Sequence, residues 1–385
     1  MIQMMTGYTE EIDEIDGGIA EVLEHIDFEL LRKNSVGIIT CHPDFTRSEF
    51  TAKLCEKLPF DVIGITTMAS ANQYGMSMYA LTLTVLTSDD VVFETTVSEP
   101  MDAGNYYEKI KDVYSKAVEK LPGPPAMILA FFPVIQDVSG AIMHKSFDEI
   151  CGGIPLWGSL TADVELNWNK CFVFYNSEAH KNKLAMILMH GPVAPEFVMV
   201  SLPSQNIREN RGQITSADGC LLKEIDGISP RKYFEDFGII LMNNVPVVTP
   251  LILYYEGDSK PITVGVYSIS DDGSFLCGNE MPVGASIAIG EITSEGIIST
   301  TTEAMDRIIK TGKRGGALLM PCIARYVMLA PNHNEEMSLV INKLENGHIM
   351  PFLVNYSGGE LCPVPDNTGV LRNRFHNHTF IACVF

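Results

Sequence analysis

Two stretches, VIGITT at residues 62–67 and LWGSLT at 156–161, align with Gly64 over Gly158 and Thr67 over Thr161. Each is short, apolar and follows a helix-like segment, which reads as a buried strand. Working outward from the first, 36–41 is a strand, SEFTAKLCEKL (48–58) a helix and 61–67 a strand. MYALTLTVL and DVVFETTVSE then alternate as two more strands. Outward from the second, a helix at 105–120 precedes a strand at 126–134, a helix at 140–150 and a strand at 154–162. CFVFYN and KLAMILMHG follow. A β-α-β-β unit thus recurs about every 95 residues.

A third, fainter unit runs through ALLMPCIA (317–324), HNEEMSLVINKLEN, PFLVNYSGG and TFIACVF. Between the second and third, RGQITSADGCLLKEIDGISPRKYFEDFGI (211–239) has hairpin turn residues at Asp218-Gly219 and Asp226-Gly227, then a short helix. Further β-like runs and a helix opening on an N-cap Ser294 continue it. The expected fold class is α/β (α+β): two layered α/β domains built from repeated β-α-β-β units with mixed sheets. Residues 1–228 hold the duplication, with units near 36–100 and 126–200. Residues 229–385 form the second domain, although a boundary near 205 reads equally well.

The chain is 46% hydrophobic and 19% charged, with 27 basic and 48 acidic residues, a net charge of −21. A charge of that sign repels polyphosphate surfaces, so nucleic acid and anionic membranes are poor partners. The nine cysteines form no CxxC pair, and several sit in apolar runs, such as Cys383 in FIACVF. A reducing compartment is expected, and a cytoplasmic location with it. The N-terminal MIQMMTGYTEEIDEIDGG lacks the basic-then-apolar order of a signal peptide, and membrane insertion is not expected.

Nucleotide and hydrolase signatures are absent: no Walker A, GxGxxG, GxSxG or HExxH. Gly64 and Gly158 remove a side chain where a ligand, or simply a packed neighbour, approaches the backbone. Thr66, Thr67 and Thr161 place hydroxyls at the same strand ends, and Asp163 adds a carboxylate, at the usual ligand position of α/β sheets. Cys322 and Arg325 end the strand ALLMPCIAR. The partner of Arg325 is either Glu360 or a ligand carboxylate. His376 and His378 share a face if extended and, with Cys362, are a weak metal set; a structural role competes with that reading.

LLMPCIARYVML and YSGGELCPV…FHNHTF together resemble the C-terminal signature of the FIST sensory domain family. That signature is a Cys-x-x-Arg element, here Cys322 and Arg325, then Tyr-x-x-Gly-Glu-x-x-Pro, here Tyr356, Gly359, Glu360 and Pro363. Phe-His-Asn-x-Thr follows, here Phe375, His376, Asn377 and Thr379. VIGITT and LWGSLTADV look like the family's N-terminal strands, with Ile65 for the usual Cys, Ser159 for the second Gly and Ala162 for the Gly before Asp163. The resemblance covers nearly the whole chain as FIST-N followed by FIST-C.

It implies binding without catalysis: an intracellular sensor of a small molecule, with amino acids as proposed ligands. Tyr356, Asn377 and Thr379 join the expected pocket on this basis. Output falls to a separate signalling protein. No cofactor is expected; a haem-based nitric-oxide sensor is the alternative, and a thiol-dependent hydrolase using Cys322 with His376 the second.

Overall fold

The computed structural model describes residues 1–385 except 48, 164, 166, 167 and 242–246; the first residue of the expected helix 48–58 therefore lies outside the described residues. Three units share one order of elements. Unit I comprises β1 (Gln3–Thr9), α1 (Ile15–Glu24), β2 (Asn34–Cys41), α2 (Phe50–Cys55), β3 (Val62–Thr66), the hairpin β4 (Ser70–Asn72) and β5 (Gly75–Ser77), and β6 (Leu81–Ser88). Unit II repeats this as β7 (Val92–Val97), α3 (Tyr106–Lys120), β8 (Met127–Phe132), α4 (Gly140–Cys151), β9 (Leu156–Leu160), the hairpin β10 (Val173–Tyr175) and β11 (Glu178–His180), and β12 (Ala185–His190).

Unit III opens with β13 (Glu196–Val200) and is interrupted by a barrel. The barrel consists of β14 (Ile207–Asp218), β15 (Leu221–Ile225), α5 (Pro230–Asp236), β16 (Val247–Tyr254), β17 (Ile262–Ile269), β18 (Phe275–Cys277) and β19 (Ser286–Gly290). The unit resumes with α6 (Ser294–Lys310), β20 (Ala317–Pro321), α7 (Ile323–Met328), α8 (Glu335–Asn346), β21 (Phe352–Asn355), the hairpin β22 (Glu360–Pro365) and β23 (Leu371–His376), and β24 (Phe380–Val384). The repeating unit is thus longer than β-α-β-β, and DVVFETTVSE opens unit II rather than closing unit I. The third, fainter unit is as complete as the others.

Each unit builds one sheet, and each lends its hairpin to another. The sheet orders are β1-β6-β2-β3-β10-β11, β23-β22-β9-β8-β12-β7 and β13-β24-β20-β21-β4-β5. In every sheet the central pair is parallel, β2 with β3, β8 with β9 and β20 with β21, and its neighbours run antiparallel. The inner faces pack on one another around a core that includes Ile38, Ile65, Leu129, Trp157, Leu318, Leu353 and Ile381. Helices cover the outer faces, as with α3 and α4 over Ile128, Phe132 and Met186. The boundaries of α4 follow from local chemistry: Ser139 caps it by accepting the Ile142 N–H, and Gly152 ends it at φ +67°.

Residue 228 falls between β15 and α5, inside the barrel, so the expected division runs through one closed sheet. The Asp226-Gly227 turn has positive φ at both positions (51° and 78°), as a two-residue hairpin-type turn requires. The barrel interior is filled by Ile214, Leu222, Leu253, Val264, Phe275 and Ile287, sealed by Phe234 of α5. At the start of α6 the capping side chain is Thr293, which accepts the Gly296 N–H, rather than the expected Ser294.

What approaches Gly64 and Gly158 is the parallel neighbour strand. A Cβ on Gly64 would lie 2.0 Å from the Ile39 carbonyl oxygen, and one on Gly158, at φ +153°, 1.9 Å from that of Ala130. Gly64→Ala is therefore expected to cost about 1–3 kcal/mol through backbone displacement. Urea unfolding measures this; a loss below about 0.5 kcal/mol, the range of an unconstrained surface change, would contradict it.

Candidate functional site

The three parallel pairs point their carboxyl ends at one place, where the chains interlock. Thr67 N–H bonds Cys41 O, Thr161 N–H bonds Phe132 O, and Ser357 N–H bonds Pro321 O, so Thr67, Thr161 and Ser357 are equivalent. Beyond them each chain crosses to the next unit: Met68 N–H donates to Tyr356 O, Ala162 N–H to Thr66 O and Gly358 N–H to Leu160 O. The hydroxyls reinforce the crossing. Thr67 Oγ1 donates to Tyr356 O at 2.5 Å, and Thr161 Oγ1 donates to Thr66 O at 3.2 Å and lies 2.7 Å from Thr66 Oγ1. Thr66 Oγ1 also accepts the Phe172 N–H at 2.9 Å. Buried backbone groups demand partners, and these threonines supply them. Asp163, also buried, accepts the Glu165 N–H at 2.8 Å.

Arg325 is not at a strand end. Pro321 stops β20, Cys322 is the N-cap of α7, and Arg325 lies on that short helix, 1% exposed. Its partner is Glu336 on α8, not Glu360. Nε and Nη2 reach Glu336 Oε1 at 2.9 and 2.8 Å. Nη2 also reaches Thr301 Oγ1 at 2.9 Å and Ile297 O at 3.1 Å, and Nη1 reaches His378 O at 3.4 Å. Tyr356 donates its hydroxyl to the other oxygen, Glu336 Oε2, at 2.8 Å. Arg325 and Tyr356, both expected in the pocket, therefore belong to one saturated network around Glu336.

Glu360 is the exception among the buried charges. It is fully buried at the start of β22 and receives hydroxyls, a thiol and the Thr379 backbone N–H, but no cation. Thr379 Oγ1 donates at 2.9 Å and Ser357 Oγ at 3.3 Å, with Cys322 alongside. Burial pushes its carboxyl up to about 8, against which those donors pull only partly. At neutral pH it is mostly protonated. The same burial raises the Cys322 thiol well above its ordinary value, the reverse of what an activated nucleophile needs.

Flanking Glu360 across the sheet are Ser159 on β9 and His376 on β23, each its direct register partner. Register partners share a face. Trp157 and Cys362, two residues along the same strands, lie in the central core, so the row Ser159–Glu360–His376 faces inward. His376 Nε2 is 3.0 Å from Cys362 O, which assigns the proton to Nε2 and leaves Nδ1 an acceptor. Neither His376 Nδ1 nor Ser159 Oγ has a hydrogen-bond partner, although both residues are 0% exposed. Ser159 is one of the positions where the sequence departs from the pattern it resembles.

His378 does not share a face with His376. The strand ends at His376, and His378 sits in a turn at φ +56°. Here the dense C-terminal cluster docks the barrel. Gly265 N–H donates to Asn377 Oδ1 at 3.2 Å, Asn377 N–H to Thr263 O at 3.3 Å, and Asn279 Nδ2 to Phe375 O at 2.7 Å. Arg374 grips Asp258 with two bonds of 2.8 Å. Burial holds both His376 and His378 at about 4, neutral at physiological pH. Among the described residues no group of three or more His, Cys, Asp or Glu is arranged to hold a metal.

Two cavities stand elsewhere. One of about 120 Å³ lies between β13, α6 and the barrel, and a more open one of about 670 Å³ lies beside Cys55, Asp61 and Asn176. Neither is lined by an expected site residue or by a histidine.

Comparison with known families settles kinship. The model of the FIST N domain matches residues 35–228, and that of the FIST C domain matches 234–363. The chain belongs to the FIST family. FIST domains are sensory domains of signal transduction, which bind small ligands. No curated protein matches this FIST chain. A solved structure described as "Cyanuric acid hydrolase: evolutionary innovation by structural concatenation" is similar at 10% identity, covering 76% of this chain and 100% of that one, with a TM-score of 0.28. Among the described residues no helix of this FIST protein is long and apolar enough to cross a membrane.

Proposed function

We propose that this FIST protein is a non-enzymatic cytoplasmic sensor of an amino acid or related amine-bearing metabolite, bound at the row Ser159–Glu360–His376 and signalling through a separate partner protein. The observation that supports it is the pair of unpartnered buried atoms, Ser159 Oγ and His376 Nδ1, on either side of a carboxyl held near pH 8. Buried polar atoms without partners mark a site for water or ligand. A hydroxyl, an acceptor nitrogen and a carboxyl able to release its proton suit an ammonium group. Ionised Glu360 would then be its counter-ion. Arg325, whose donors are engaged by Glu336, is not assigned the ligand's carboxylate. The barrel, seated on residues 374–378 beside the row, is the element whose position would report occupancy.

A thermal-shift screen of the purified protein against the twenty amino acids, common carboxylates and haemin tests this. A ligand at a hundred times its Kd adds about 2.7 kcal/mol. The expected result is a shift with one amine-bearing compound, lost in Glu360→Gln and weakened in Ser159→Ala. A shift unchanged in both variants, or silence from every amine, would refute the site. A response to haemin alone would favour the gas-sensor reading, for which neither described cavity offers an imidazole.

A further inference from the structure

The cavity between β13, α6 and the barrel has a chemistry of its own. Its lining is mostly apolar, from Met199, Val200, Leu202, Ile252 and Pro261, joined by the hydroxyl-bearing Ser201, Thr263 and Thr300 and by the charged Lys260 and Glu303. Ser201 and Thr263 hydrogen-bond each other through their hydroxyls. Lys260 is only partly exposed. Its ammonium makes no salt bridge with a carboxylate: Glu303, the acid in the wall, turns to Arg307 at 3.9 Å. Burial lowers the Lys260 amine from its ordinary value, the neighbouring Arg307 adds to that, and Glu303 opposes it only in part. A half-buried cation that makes no salt bridge, beside a largely apolar cavity, is a charge only partly compensated.

We infer that this cavity is a second ligand site, taking a small monocarboxylate with a short branched apolar tail. Lys260 would receive the carboxylate, and Met199, Leu202 and Ile252 the tail. The size agrees: a volume of about 120 Å³ is of the order of an engineered cavity of about 150 Å³ that holds benzene. The wall comes from both bodies, since Val200–Ile207 is the segment that enters the barrel and β16 and β17 belong to the barrel itself. A bound carboxylate would brace the barrel against unit III. The inference stands on residues outside the Ser159–Glu360–His376 row and does not need that row to bind anything.

The test is a titration of the protein with isovalerate, followed by calorimetry and by mass-spectrometric mapping of lysine acetylation. Saturable heat is expected, with Lys260 acetylated faster than the exposed lysines at pH 8 and protected by isovalerate at least fivefold. Lys260→Met should abolish the heat, whereas Glu360→Gln should leave it intact. If Lys260→Met fails to fold, protection in the unaltered protein decides. No heat and no protection, or heat that persists in a folded Lys260→Met, overturns the inference. Loss of the heat in Glu360→Gln but not in Lys260→Met would assign the binding to the other site.

Discussion

Glu336→Ala is expected to lose about 3–5 kcal/mol of folding stability, because it leaves the Arg325 guanidinium buried with no counter-charge. The two side chains are 1% and 0% exposed, so water cannot take the carboxylate's place. The loss also strands Tyr356 and Thr301, both of which donate to that carboxylate. Arg325→Ala fails for the mirror-image reason. The double variant Arg325→Met/Glu336→Met should recover most of the loss, since replacing a buried pair with apolar volume is often near neutral. Urea midpoints of the three variants measure this. Single losses under about 1 kcal/mol, the range of an exposed ion pair, would show that the network is not sealed from solvent.

The second large effect is a pH dependence carried by Glu360. Its folded value of about 8 lies above the ordinary 4.5, so between those values the folded chain holds a proton the unfolded chain has released. The native state is therefore favoured by acid. Its advantage is whole below pH 4.5, shrinks as pH rises, and levels off above about 8, where the carboxylate is buried and charged. At 1.36 kcal/mol per unit, the swing is roughly 5 kcal/mol as an upper figure. Glu360→Gln keeps the shape without the titration. The stability difference between the unaltered protein and Glu360→Gln should thus change by several kcal/mol from pH 5 to pH 8.5, in favour of Gln at the higher pH. A difference that stays flat with pH would mean that Glu360 ionises at an ordinary value and that water reaches it.

Much of this was written in local sequence. The paired strands at 62–67 and 156–161 disclose duplication because a buried parallel strand needs a continuous apolar run, and the glycines mark where backbones touch. The third unit was fainter because Val354 stands where the others have glycine, and because the barrel separates β13 from α6. Arg325 could be read as needing a partner, but Glu336 could not be named. It lies in the first turn of a helix, where acidic residues are common for the dipole alone. His376 and His378 misled by spacing, since a left-handed residue at 378 breaks the alternation that puts i and i+2 on one face. The importance of Ser159 depends on register with a strand 200 residues away, which no local pattern encodes.

The lending of hairpins has a consequence for the order in which the chain can close. The edge of β3 is covered once residues 173–180 exist, but β9 waits for residues 360–376, and β4–β5 wait for β21. At roughly 5–20 residues per second, the β9 edge stays open on the ribosome for on the order of 10–40 seconds. An unpaired edge of that kind invites wrong pairing. It is also the strand that carries Ser159, so half of the candidate site is in place early, yet no site exists until nearly the last strand has been made.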